Sequence, residues 1–147
     1  MKIRTATPAD IAEMIRMERS AGSAAHWNEE RYHALFNPTS PRRFALVMEA
    51  DGVAGFLIAS AVDLEWEIEN VVVRGEFHRR GFGRALVLDL LERARKAKAT
   101  SVFLEVRESN VGARRLYQGL GFVQISHRPR YYSHPEENAI VYRFEIK

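Results

Sequence analysis

Cysteine is absent from the 147 residues, which excludes a disulfide framework, a thiolate metal site and a cysteine nucleophile. Any group transfer must use another nucleophile or pass directly between two substrates. The five histidines, His26, His33, His78, His127 and His134, never stand four residues apart, so none share a helical face in the manner of paired metal ligands. No metal is expected. No apolar run approaches the roughly 20 residues that a membrane-spanning helix needs, and the opening MKIRTATPAD lacks the hydrophobic stretch of a signal peptide. A cytoplasmic location without membrane attachment follows as an expectation. A large charge excess is also missing: 22 basic against 19 acidic residues leave +3, which suits an anionic ligand and does not point to nucleic acid.

What is present is an apolar fraction of 46%, enough to fill the core of one domain over residues 1–147. The basic residues are unevenly placed. Arg74, His78, Arg79, Arg80 and Arg84 crowd around Gly81 and Gly83, which makes this segment the first candidate site.

Local patterns predict the elements. A first strand opens at Ile3, and Thr7-Pro8-Ala9-Asp10 reads as a helix start, with a hydroxyl cap, a proline in the first turn and a carboxylate at the third position. That helix should run to about Ser20. Asn28 caps a second helix through Phe36, and Asn37-Pro38-Thr39-Ser40-Pro41 breaks it. Residues 44–49 and 53–62 form a hairpin about Ala50-Asp51-Gly52, and another strand covers 65–73. The stripe Leu86, Val87, Leu90, Leu91, Ala94, Ala97 predicts a helix over 83–98. A strand at 101–106, a short helix capped by Asn110 and ending near Gly119, a strand at 122–126, a polar loop at 133–138 and a last strand at 139–146 complete the chain. The order β-α-α-β-β-β-α-β-α-β-β implies an α/β fold with a mixed sheet of about seven strands and about four helices.

The segment His78-Arg79-Arg80-Gly81-Phe82-Gly83-Arg84 joins Val71-Val72-Val73 to the amphipathic helix. The first amides of a helix lack intrahelical acceptors, and glycines let a phosphate come close to them. A nucleotide P-loop would need Lys-Ser/Thr after its second glycine, where Arg84-Ala85 stands, and a dinucleotide fingerprint would need glycine at Leu86. The segment instead resembles motif A of the GNAT acetyltransferases, Gln/Arg-x-x-Gly-x-Gly/Ala, with His78 standing at the Gln/Arg position. The resemblance implies that acetyl-CoA is the cosubstrate. Its pyrophosphate would lie on the turn formed by Arg79, Arg80, Gly81, Phe82, Gly83 and Arg84. Its pantetheine arm would run along the backbone of Val71, Val72 and Val73, one strand amide polarising the thioester carbonyl.

Acetyl transfer to an amine requires loss of an ammonium proton, oxyanion stabilisation and a proton for the leaving thiolate. Glu105 interrupts the apolar strand Val102-Phe103-Leu104-Glu105-Val106, where a charge needs a wet cleft or a partner, Arg107 being the nearest cation. Tyr117 follows Asn110 by seven residues, nearly two helical turns, so both side chains share a face. The stretch Leu104-Glu105-Val106-Arg107, Asn110 and Arg115 to Phe122 resembles bacterial enzymes that acetylate the N-terminal alanine of a small-subunit ribosomal protein. That resemblance implies Glu105 as general base, Tyr117 as general acid and Asn110 as a cofactor contact. Glu67, on the strand face it shares with Glu69, occupies the position of the base in other GNAT branches and is the alternative.

For the acceptor, Trp27-Asn28-Glu29 resembles the Pro-Trp-Ser-Glu segment of the ribosomal-protein enzymes, and Arg130-Tyr131-Tyr132 resembles their Arg-x-Tyr-Tyr loop. Trp27 and Tyr131 are therefore the acceptor candidates, Trp27 otherwise serving as a packing anchor. A protein N-terminal amine is the leading acceptor, transferred to directly in a ternary complex. A small-molecule amine is the alternative within the fold, and a catalytically silent acyl-CoA-binding module is the alternative outside catalysis.

Overall fold

The structure, a computed structural model, describes residues 2–21, 27–37, 42–133 and 135–147. Strands β1 (Lys2–Thr5), β2 (Arg42–Glu49), β3 (Val53–Val62), β4 (Glu65–Val73), β5 (Ser101–Arg107), β6 (Val123–Ser133) and β7 (Glu136–Glu145) form one sheet in the order β1-β2-β3-β4-β5-β7-β6. Among the described residues only the β4–β5 pair is parallel. Helices α1 (Ile11–Ser20) and α2 (Glu29–Ala34) cover one face, and α3 (Phe82–Lys96) packs on the other, where α4 (Val111–Gly119) adds Tyr117 to the same core. No helix among the described residues is long and apolar enough to cross a membrane.

The two faces follow from alternation along the strands. Leu46, Met48, Leu57 and Ile68 join Leu86, Val87, Leu90 and Leu91 of α3, whereas Val47, Phe56, Ile58 and Val72 join Met14, Ile15 and Tyr32 of the α1/α2 layer. Local chemistry sets the boundaries. Asp10 accepts from the Thr7 amide at 2.8 Å as the capping box requires, though Pro8–Asp10 form a short 3-10 turn before α1. Asn28 Oδ1 accepts from the Arg31 amide and starts α2. The β2–β3 turn carries positive φ at Asp51 and Gly52, a conformation that Asp-Gly adopts readily.

Four sequence expectations are corrected. Helix α2 stops at Ala34 rather than Phe36, and α3 at Lys96 rather than Lys98. The strand expected at 122–126 is β6, which runs on to Ser133 and takes Tyr131 and Tyr132 out of the expected loop. The polar stretch after Ser133 is mostly strand, β7 beginning at Glu136. Strand β6 lies at the sheet edge and is exposed along nearly its whole length, so it needs no apolar alternation and reads as a loop in sequence. The expected break at Pro38 to Pro41 lies outside the described residues, as does His134.

Gly55 in β3 faces Val73 of β4, and a Cβ there would stand 2.9 Å from the Val72 carbonyl oxygen and 3.4 Å from Leu86 Cδ1. A backbone carbonyl cannot swing aside as a side chain can. Gly55→Ala is expected to lower the thermal midpoint by about 3–10 °C, as overpacking at a fixed backbone contact does. Thermal unfolding followed by circular dichroism checks this, and an unchanged midpoint would show that β3 and β4 can part at no cost.

Candidate active site

Strands β4 and β5 are paired only from Glu65↔Ser101 to Ile68↔Leu104. Beyond that point β4 keeps its ladder with β3 as far as Val73, and β5 keeps its ladder with β7 as far as Arg107, so the two parallel strands diverge. The edge of β4 facing away from β3, from Glu69 to Val73, has no strand partner among the described residues. A cleft of about 350 Å³ opens in this gap. It is lined by the predicted residues Trp27, Glu67, Val71, Glu105, Asn110, Tyr117 and Tyr131. A larger groove of about 800 Å³ between α3 and the β6–β7 hairpin is lined by none of the predicted site residues.

A bulge in β4 shapes the floor. Ile58 pairs with Asn70 and Ala59 with Ile68, leaving Glu69 as an extra residue. Strict alternation would put Asn70 on the α3 face with Ile68. The bulge sends it instead into the α1/α2 layer, where its amide nitrogen donates to Glu18 at 3.0 Å. Glu69 is held by Arg43 Nε at 2.8 Å. Glu67 is open to solvent in the cleft yet walled by protein. Its pKa is raised above the ordinary carboxylate range, first by the loss of hydration between the walls and then by the charges of Glu69 and Glu105.

The ion pair of Glu105 is with Arg128 of β6, Nη1 to Oε1 at 2.8 Å, and not with Arg107. Arg107 turns to Glu137 at 3.4 Å and stacks over the Tyr132 ring at 4.3 Å. Tyr131 is aimed at Glu105 by an irregularity in β6. Arg128 pairs with Ala139 and Tyr132 with Glu137, so the intervening residues bow out, with Arg130 at positive φ. The hydrogen bond to Glu105 is the main cause of Tyr131's raised pKa, followed by burial.

Tyr117 is 7% exposed on the opposite wall, against Phe122 and Tyr142. Burial pushes its phenol up to about 12. Asn110 begins α4 by accepting from the Ala113 amide at 3.2 Å through Oδ1, and the residue lines the cleft with an amide nitrogen that is a donor. Asn110 and Tyr117, expected on one face, both line the cleft.

The glycine turn lies at the far end of β4. Gly81 caps α3 with φ 78°, which favours glycine, and Arg79 also has positive φ. The first intrahelical bond runs from Ala85 to the Gly81 carbonyl, so the amides of Phe82, Gly83 and Arg84 point out of the helix end. A Cβ on Gly83 would meet Leu116 Cδ2 at 3.7 Å and Val73 Cγ2 at 3.9 Å, ordinary contacts, so alanine also fits at this motif position. Of the predicted cofactor strand, Val71 and Val73 pack toward the α3 face and the Val72 side chain is buried in the α1/α2 layer. His78 turns back onto the strand, its Nε2–H donating to the Val73 carbonyl at 2.6 Å. It therefore braces the turn against β4.

On the acceptor side Trp27 is 7% exposed, and the guanidinium of Arg31 stacks 4.1 Å from its ring centre. Trp27 is thus both a packing anchor for Tyr32, at 5.6 Å, and part of the cleft wall. Sequence reasoning did not find Asn70, Arg128, Glu18 or the clefted role of Tyr132. Asn70 alone carried a signal, as an amide within the apolar end of a strand otherwise ending Val71-Val72-Val73. Arg128 gave none, because its partner lies 23 residues away in sequence.

A parallel strand pair parting at its middle, with a glycine-capped helix end beyond one strand and a carboxylate and phenol between them, defines an acyltransferase site of the GNAT kind. Residues 10–122 match the Acetyltransferase (GNAT) family, and the chain belongs to it. It is an N-acetyltransferase that uses acetyl-CoA. The chain is 33% identical over 135 residues to the [ribosomal protein bS18]-alanine N-acetyltransferase of Escherichia coli strain K12, covering 84% of this chain and 90% of that one. The crystal structure of the Escherichia coli ribosomal-protein-S18-alanine N-acetyltransferase superposes with a TM-score of 0.86 at 27% identity, covering 99% and 94% of the two chains. Ard1 from Thermoplasma volcanium superposes equally well, with a TM-score of 0.86 at 28% identity over 99% and 97%.

Proposed function

We propose that this chain, as a single cytoplasmic domain, transfers acetyl from acetyl-CoA to the N-terminal α-amine of a protein, alanine being the preferred first residue and a ribosomal protein the kind of acceptor. The observation that carries this reading is the meeting of Glu105, Tyr117, Trp27 and Tyr131 in one cleft at the point where β4 and β5 part. The similarity to the Escherichia coli alanine N-acetyltransferase, in sequence and in structure, supports the acceptor class.

The roles follow from the chemistry of each group. The outward amides of Phe82, Gly83 and Arg84, with the arginines around them, suit a diphosphate. The unpaired edge of β4 offers backbone groups to the amide-bearing arm of the cosubstrate, and an amide on that edge is placed to polarise the thioester carbonyl. Asn110 adds a donor beside the same path. An α-amine has a pKa of about 7.7–8.0, so at neutral pH a modest base suffices to take its proton. Glu105 serves as that base through a water, with Arg128 fixing its carboxylate. The negative charges of Glu67 and Glu105 favour entry of an ammonium. Attack of the neutral amine on the thioester carbonyl forms a tetrahedral oxyanion, and its collapse breaks the carbon–sulfur bond. Tyr117, raised to about 12 by burial, is protonated throughout the physiological range and donates to the departing thiolate.

The test is an acceptor profile with acetyl-CoA. Alanine-initiated peptides are expected to be acetylated at the α-amine, with kcat/KM at least about tenfold above that of the same peptide begun by a bulky residue, a spread one pocket can enforce. Product formed only from polyamines, free amino acids or aminoglycosides would replace the protein acceptor with a small amine. Coenzyme A binding without turnover on any amine would leave a silent binding module.

A further inference from the structure

One buried charge of the α1/α2 layer takes no part in the steps above. Glu18 of α1 is 2% exposed. Its Oε1 accepts two hydrogen bonds, from the backbone amide of Trp27 at 2.7 Å and from Asn70 Nδ2 at 3.0 Å. Tyr32 lies beside the same carboxylate, and its pKa is raised by burial and by that neighbouring charge. Three separate pieces of chain thus converge on one side chain: the end of α1, the segment entering α2 and the bulge of β4. Both donors reach the cleft, since Trp27 and Asn70 line it.

Burying a carboxylate against neutral donors costs more than an apolar residue of the same size would, so this group is poorly explained as a stabiliser. Its geometry accounts for it better. Trp27 is the acceptor wall in the proposed function, and Asn70 sits in the strand stretch along which the cosubstrate is proposed to lie. Charge-assisted hydrogen bonds to a single oxygen hold the two at a fixed separation. We propose that Glu18 is a positioning residue that ties the acceptor wall to the β4 bulge, so that acetyl-CoA seated along β4 orders the wall that receives the amine. The inference rests on the proposed function for the identity of the two half-sites. It adds a physical link between them: the acceptor should bind more tightly once the cosubstrate is in place, and this coupling should pass through Glu18.

Glu18→Met keeps the buried volume and removes both acceptors, whereas Glu18→Gln keeps an amide oxygen where Oε1 stands. In steady-state kinetics Glu18→Met is expected to raise the KM for an alanine-initiated peptide about tenfold and to leave the KM for acetyl-CoA within about twofold. Glu18→Gln is expected to restore the peptide KM to within about threefold of the wild type. A merely structural role would shift both KM values and the folded fraction together. A folded Glu18→Met variant with an unchanged peptide KM would overturn the proposal. The wild-type protein gives a second measurement that needs no variant. Hydrogen exchange at the Trp27 amide is expected to slow about tenfold when coenzyme A alone is bound, because ordering β4 secures the Glu18 bond. Exchange at Trp27 that is indifferent to coenzyme A would equally overturn it. If the wild type acetylates only small amines, the protein-acceptor reading fails, and the exchange measurement still decides whether Glu18 links the two walls.

Discussion

Tyr117→Phe is expected to lower kcat about 100- to 1,000-fold while leaving the KM for acetyl-CoA and for the acceptor within about twofold. The phenol is buried against Phe122 and Tyr142, so phenylalanine fills the same space and the wall keeps its shape. What is lost is one proton at one moment, when the carbon–sulfur bond breaks and sulfur takes on charge. An interaction made mainly in the transition state appears in kcat rather than in KM. The raised pKa sharpens this expectation, because a phenol near 12 is protonated at every pH where the enzyme works. Single-turnover kinetics isolates the chemical step, and a Tyr117→Phe variant that turns over at the wild-type rate there would remove the phenol from the reaction.

The second large effect is at the carboxylates. Glu105→Gln is expected to lower kcat/KM about 100-fold, whereas Glu67→Gln is expected to cost about tenfold. Glu105 has the fixed geometry of a base, held by Arg128. Glu67 has the electrostatics of one, since lost hydration between the cleft walls and two neighbouring carboxylates raise its proton affinity. The sign separates the two. A carboxyl with a raised pKa takes up its proton at a higher pH, so a reaction that used Glu67 as base would lose activity as pH falls through a value above the ordinary carboxylate range. An acid limb found there, and absent from Glu67→Gln, would exchange the two roles.

Local signals carried much of this site into the sequence. Gly81 and Gly83 were legible because glycines beside the free amides of a helix start let a phosphate come close to them. Glu105 stood out because a charge inside an apolar strand demands a reason, and the reason is that the strand pair opens beside it. Asn110 and Tyr117 were related by helical spacing alone. The hairpin carrying Tyr131 was not legible in the same way. An edge strand exposed on both sides follows no apolar period, and its bowed stretch depends on the pairs Arg128↔Ala139 and Tyr132↔Glu137 with β7, which alternation does not reveal. Glu18 was equally silent, since a glutamate in an amphipathic helix reads as surface until Trp27 and Asn70 close over it.

The sequence by itself determined which elements form, the family they belong to and the glycine turn suited to a diphosphate, because caps, periodicity and φ preferences act over a few residues. Tertiary structure alone decided that Arg128 rather than Arg107 pairs with Glu105, that the β4 bulge turns Asn70 toward α1, and that His78 braces a strand. Each of these is a meeting of groups distant in sequence or a choice between geometries that are locally equivalent. Only the closing of the sheet and the packing of its two layers selects among them.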